Sequence, residues 1–359
     1  MKKIKTSVTL LALVCGSTNA ALIYDKDGSK IDLNGRVKAE YYFSNDNSKN
    51  GDQTNSRLGF KVDSQIDENL AGFAVWQYQF GANRIETDSS GNRNRLSYAG
   101  LRDNRFGSFS YGRSYGIMYN VSSFTDRLPE LGCETLKYTD VYMTSRSTGQ
   151  AIWSTTDFFG LVDGFNLAVE YQGKNETSRG VNKQNGDGFG LSALYSVDNF
   201  TFGTAYSNSD RTEEQLSKAR TEPNVFANGN KAEMWNGGVK YAADRIYIAT
   251  IYGESHNMTP FGSGYIADKT KNFEAVVQYT FNNGLKPSLA YLQSTAVSQN
   301  AGSNVDIVKY LDVGATWDLS KNIAVLVEYK INLINSSDYT KSVKISSDDI
   351  IVTGINYTF

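Results

Sequence analysis

Histidine, cysteine and proline are all scarce in this chain. With one histidine, His256, a metal site built on several imidazoles is excluded, and Ser–His or Asp–His catalysis would depend on that residue alone. The two cysteines are Cys15 and Cys133, so a disulfide framework is excluded once the N-terminus is removed. There are four prolines in 359 residues. No apolar run reaches the 18 or so residues that a spanning helix needs. The formal charge of −2 carries no basic nucleic-acid footprint. A P-loop, G-x-S-x-G and H-E-x-x-H are all missing. The glycine-rich run NGDGFG lacks dinucleotide spacing and a following helix, so it reads as a tight turn into a strand. The N-x-[ST] matches, NET, NFT, NMT and NYT among them, are chance matches.

What the chain does hold is aromatic residues and glycine: 23 Tyr, 18 Phe and 32 Gly. The N-terminus joins a basic MKKIK, an apolar SVTLLALVC and a small-residue GSTNA, the pattern of a secretory signal over residues 1–20. Leu13 and Val14 before Cys15 argue against a lipoprotein signal. Loss of Lys2, Lys3 and Lys5 moves the formal charge from −2 to −5 and leaves Cys133 as the one thiol. Residues 21–359 then read as a single domain.

That domain alternates. In NFEAVVQYTF, Phe273, Ala275, Val277, Tyr279 and Phe281 fall opposite Asn272, Glu274 and Gln278. NIAVLVEYKI sets Val325, Val327 and Tyr329 against Glu328 and Lys330, and FNLAVEYQ sets Val169 and Tyr171 against Glu170 and Gln172. A period of two gives each strand one apolar and one polar face, which averaging turns into a deceptively soluble composition. A β-sandwich would alternate too, but the connections separate the two folds. Short turns near 67–70, 103–106, 161–164, 197–199, 243–245, 282–284 and 320–322 alternate with longer polar stretches. Those lie near 45–55, 81–93, 116–150, 173–187, 208–232, 254–270, 294–307 and 332–347. Such sorting predicts an all-β, antiparallel, up-and-down transmembrane barrel of 16 strands, closed because no backbone edge survives in hydrocarbon. Tyr41, Phe43, Phe80, Tyr171, Phe281 and Tyr357 are expected at its interfaces. The chain ends on Phe359 with no polar tail, like the assembly signal of outer-membrane barrels.

Parity places Arg36, Arg57, Arg93 and Arg95 on the polar, lumen-facing side, with Leu96 and Tyr98 outward. Charge on the lipid face costs about 2–4 kcal/mol at midplane, which fixes this register. Arg113 breaks the pattern by sharing parity with Phe109, Tyr111 and Tyr115. A bulge or a covering protein surface would explain it, and a subunit interface with Glu86 as carboxylate partner is the expectation.

Over its whole length the chain resembles the trimeric general diffusion porins of enterobacterial outer membranes. IYDKDGSKIDLNGR, SRLGFK, NRLSYAGL, GSFSYGRSYG, FTDRLPELG, FFGLVDGFNLAVEYQGKNE, NGDGFG, VGATW and the terminal NYTF carry the resemblance. It implies a passive, non-enzymatic channel for small hydrophilic solutes and ions, without cofactor or metal. Both termini would be periplasmic, and the protein would be a homotrimer in contact with outer-membrane lipid and lipopolysaccharide. It also implies that the loop at about 116–150 folds into the lumen. Asp126, Glu130 and Glu134 would form the acidic side of a constriction, facing a basic wall of Arg36, Arg57, Arg93, Arg95 and Arg146. Pro129 and Gly132 would shape the loop tip. Arg127 departs from the pattern and would neutralise part of the rim if it points inward, and Cys133 in place of a smaller residue would narrow the opening. The overall charge leads to an expected weak cation preference. Substrate-specific sugar or phosphate channels are the nearer alternative, but phosphate selection would call for excess lumen lysine near the constriction, whereas the loop is acidic; a barrel hydrolase is remote. The outer loops are expected to meet phages or colicins.

Overall fold

The computed structural model describes residues 20–297 and 304–359. The signal-peptide reading of residues 1–20 therefore falls, apart from Ala20, outside the described residues. Sixteen strands form the wall: β1 (Ser29–Phe43), β2 (Asn55–Gln65), β3 (Leu70–Gly81), β4 (Arg93–Asp103), β5 (Gly107–Tyr115), β6 (Arg146–Thr155), β7 (Phe165–Gln172) and β8 (Gly188–Val197). They continue as β9 (Phe200–Asp210), β10 (Lys231–Ala243), β11 (Ile246–Phe261), β12 (Tyr265–Tyr279), β13 (Leu285–Val297), β14 (Asn304–Asp318), β15 (Ile323–Asn332) and β16 (Ile350–Thr358). Each pairs antiparallel with the next, and β16 pairs back onto β1 through Ile351↔Phe43 to Thr358↔Arg36. The sheet is closed, so it has no unpaired edge to expose to lipid.

The closure has a detail that the strand count hides. Residues Ala21–Lys26 form a short strand on β1, with Ala21 opposite Leu33. The C-terminal residue lies just beyond, exchanging backbone hydrogen bonds with Gly35 at 2.9 and 3.0 Å. First and last segments thus run end to end along one edge of β1. Gly35 makes room for the Phe359 ring, which any Cβ there would overlap.

Alternation survives folding in most strands. On β1, Val37 and Phe43 are 48 % and 51 % exposed, whereas Lys38 and Glu40 are 2 % and 5 % exposed. Exposed apolar and buried polar side chains identify the outer and inner faces of a lipid-facing wall. The six aromatics expected at the interfaces are all exposed.

Two strand expectations fail. Parity put Leu96 and Tyr98 outside, but Leu96 is buried and Tyr98 packs edge-on against Phe73. The cause is a bulge: Gln77 pairs with Leu96 and Tyr78 with Asn94, leaving Arg95 as the extra residue. A bulge reverses alternation for everything beyond it, so Ser97, Ala99 and Leu101 take the outer parity. The stretch 254–270, read as a loop holding His256, is instead the end of a hairpin. β11 and β12 extend to a turn at 262–264, and His256 pairs with Lys269.

Candidate functional site

The segment 116–145 between β5 and β6 is the longest connection without strand structure among the described residues. A short helical turn, Tyr119–Ser122, starts it. Ile117, Met118, Val121, Phe124, Leu136 and Met143 bury themselves against inner residues of β7 to β14, forming the largest apolar cluster among the described residues. Backbone polar groups buried this way must find partners. Wall carboxylates supply them. Glu170 on β7 accepts from the Ile117 N–H at 2.5 Å. Glu274 on β12 accepts from the Thr135 N–H and hydroxyl at 3.0 and 2.7 Å, and from the Thr125 hydroxyl. Glu328 on β15 accepts from the N–H groups of Glu130 and Leu131 at 3.0 and 3.1 Å.

Each expected loop acid has a cationic partner, and the partner is lysine. Lys137 lies 2.9 Å from Asp126, which also accepts from the Tyr119 hydroxyl at 2.5 Å. Lys38 on β1 pairs with Glu130 and, at 3.1 Å, with Glu40. Lys330 on β15 pairs with Glu134 at 3.0 Å. The sequence reading assigned none of these lysines to the site, although Lys38 and Lys330 have legible inner parity. Lys137 has no such signal, because a loop has no period.

Register supplies the height that parity lacks. Arg36 stands directly opposite Arg57, Arg57 opposite Gln79, and Gln79 opposite Arg93. Arg57 donates to Gln79 at 2.9 Å, while Arg95 donates to Gln77 at 2.8 Å and Gln79 at 3.2 Å. Arg146, the first residue of β6, bonds Tyr115 and Thr139 and lies over the Tyr115 ring. Tyr115 in turn stacks on Tyr119 with centroids 4.2 Å apart. The five arginines are thus brought to neighbouring rungs of one side of the wall.

Three side chains depart from expectation. Arg113 does not look to Glu86, which is exposed. Its guanidinium takes Asp140 of the same loop in a two-point ion pair (2.6 and 3.1 Å) and bonds the Asn94 carbonyl. It sits where β5–β6 pairing slips between Gly112 and Ser114, so a pairing irregularity and the chain's own loop account for it. Arg127 stacks on the Tyr247 ring, 4.3 Å from its centroid, and among the described residues it makes no ion pair with the rim acids. Cys133 is fully buried with its Sγ toward the Ser122 carbonyl, so its side chain turns away from any opening. Burial pushes its thiol pKa well up. Gly132 has φ +96° and Cys133 φ +50°, so the tip turns through two left-handed residues, the first suited to glycine. Pro129 lies over Gly314 of β14, where a Cβ would stand 2.9 Å from its Cγ.

A closed sixteen-stranded barrel, apolar outside and polar within, defines an outer-membrane channel protein rather than an enzyme. Residues 26–359 match the Gram-negative porin family, and the chain belongs to it. It is 48 % identical over 360 residues to the outer membrane porin protein OmpD of Citrobacter koseri, covering 100 % of this chain and 99 % of that protein. OmpD of Salmonella typhimurium is 49 % identical over 365 residues, with coverage of 100 % and 99 %. Among solved structures, Salmonella typhi OmpF in complex with daunomycin superposes with a TM-score of 0.87 at 41 % identity, covering 94 % of this chain and all of the other.

Proposed function

We propose that this chain forms a water-filled pore for passive diffusion of small hydrophilic solutes, narrowed by the 116–145 segment folded into its bore. The observation that carries the reading is how far round the wall that segment is tied. It leaves from β5 and returns to β6, yet it bonds side chains on β7, β12, β15 and β1. A loop standing outside the barrel could not reach inner-face residues on opposite sides of it. Glu130 and Glu134 then face the arginine side across the remaining gap, and the field between the rows orients polar solutes at little cost in hydration. Apolar solutes would have to disrupt ordered water there.

The same reading has the chain as a homotrimer with both termini periplasmic and Phe359 serving as the assembly signal. Lipopolysaccharide would meet lysines and arginines near the loops, and phages or colicins the outer loops. Reconstitution into planar bilayers, with swelling of liposomes in sugars of graded size, tests the channel. A stepwise conductance and a smooth decline of influx with size are expected. Saturable block by a single solute would instead favour a substrate-specific channel.

A further inference from the structure

We infer that the β11–β12 hairpin is a strap drawn over the loop-bearing mouth of the barrel, where it hinders bulky solutes before they reach the constriction. The inference goes beyond the porin reading and rests on it only for the existence of the bore. It starts from strand length. β11 and β12 run for 16 and 15 residues, against 8 in β7 and 10 in β15, and all four meet a short turn at their other end. A surplus of about six residues carries the hairpin roughly 20 Å beyond the ends of its shorter neighbours. A free hairpin of that length would stand in water. This one is bent and covered. Its pairing slips between His256 and Thr259, with Asn257 at φ +58°, and a bulge of this kind turns the strand that carries it. Beyond the bulge, Thr259, Ile266 and Ala267 are buried. Ile266 packs with Ala219, Phe226 and Ala227 of the β9–β10 connection and with Val181 of the β7–β8 connection.

The ties at the tip fix where the hairpin lies. Asn182, in the β7–β8 connection, donates to the Gly264 carbonyl at 2.9 Å. The Ser263 N–H donates at 2.9 Å to the carbonyl of Val343, a buried residue of the β15–β16 connection. The Ile266 N–H donates to the Val225 carbonyl at 2.8 Å. In a ring of sixteen strands the β7–β8 and β15–β16 connections leave from opposite points, and the hairpin rises midway between them. Four strand spacings separate it from each, an arc of roughly 25 Å in a tilted barrel. A tip upright on the rim would reach neither side. Bonded to both, it lies inside the ring and across the opening. The arrangement also has a firm base. Gln215 accepts from the Tyr142 hydroxyl at 3.2 Å and donates to the Val181 and Gln184 carbonyls, both at 2.9 Å. Lys183 donates to the Thr139 carbonyl at 2.7 Å. The loops under the strap are thus fastened to the root of the 116–145 segment.

One-sided polymer exclusion reads the strap, because solutes meet the constriction from both sides and the strap from one. The full-length mature protein is inserted into a planar bilayer from one compartment, and polyethylene glycols of graded size are added to each side in turn. The fall in single-channel conductance marks which sizes enter. The unaltered protein should exclude from its loop-bearing side polymers that it admits from the other. Gly262→Val drives a Cβ into the Val343 carbonyl, and Asn182→Ala removes the bond to Gly264. Together they should shift the cut-off on the loop-bearing side to larger polymers and leave the other side where it was. Should the double variant not assemble, Asn182→Ala alone must shift the same side in the same direction. Equal cut-offs on the two sides of the unaltered protein would overturn the strap and leave the pore intact. So would variants that move neither cut-off, or both alike. Absence of any conductance would overturn the porin reading along with it.

Discussion

Lys330 on β15 holds its ammonium 3.0 Å from Glu134 and 4.1 Å from the centroid of the Tyr310 ring, 196 residues after the loop it anchors. The pair is about a third exposed at its glutamate end. Lys330→Gln should therefore cost only about 1 kcal/mol of stability. A small drop in the temperature at which the folded barrel unfolds on gels, with assembly retained, is the expected result. Loss of assembly would mean that the pair is far more than a loop tether.

Glu274 should matter more. It is fully buried and accepts from Thr125 and from both donors of Thr135. Glu274→Ala leaves those donors unsatisfied, for a loss of roughly 2–4 kcal/mol concentrated in the loop. Hydrogen exchange at Thr135 should accelerate while wall amides far from β12 stay protected. Uniform acceleration would contradict a local effect.

Gly314→Val tests the seat of the loop tip. Its added Cβ would stand 2.9 Å from Pro129 Cγ and 3.0 Å from Cδ. Overpacking of this kind costs about 1–3 kcal/mol and is relieved by moving the tip off β14. Single-channel records should show altered and noisier conductance. Traces identical to those of the unaltered protein would mean the tip does not rest there.

Cys133 should resist thiol reagents in the folded protein and react once it is denatured. The thiol is buried, and desolvation raises its pKa well above the ordinary 9.0. For a group whose folded pKa is raised, stabilisation is complete below the unfolded value and is lost as pH rises toward the folded one. The contribution is thus whole below about pH 9 and declines in more alkaline solution, a decline that Cys133→Ser should lessen. Rapid maleimide labelling of the native protein at neutral pH would refute the buried placement.

Strand number, loop alternation and the inward side of Arg36, Arg57 and Arg93 were legible because a residue's face depends only on its neighbours one and two places away. The same rule misled at Leu96 and Tyr98, since one extra residue at Arg95 inverts the count and carries no signature of its own. Ser255, Thr259 and Thr270 bond one another within the β11–β12 hairpin, in a stretch whose polar composition resembles a loop. The family pattern located the acids of the loop but not the lysines that hold them.

By itself the sequence determined the architecture: alternation chooses the two faces, hydrocarbon forbids an open edge, and short and long connections order the strands. Only the tertiary structure decided which charges meet. Asp126, Glu130 and Glu134 are joined to Lys137, Lys38 and Lys330, the last two far away in the chain, and Arg113 to Asp140. Those distances depend on strand register and on the path of an aperiodic loop. Both are set by closure and packing of the whole barrel, which no local pattern encodes.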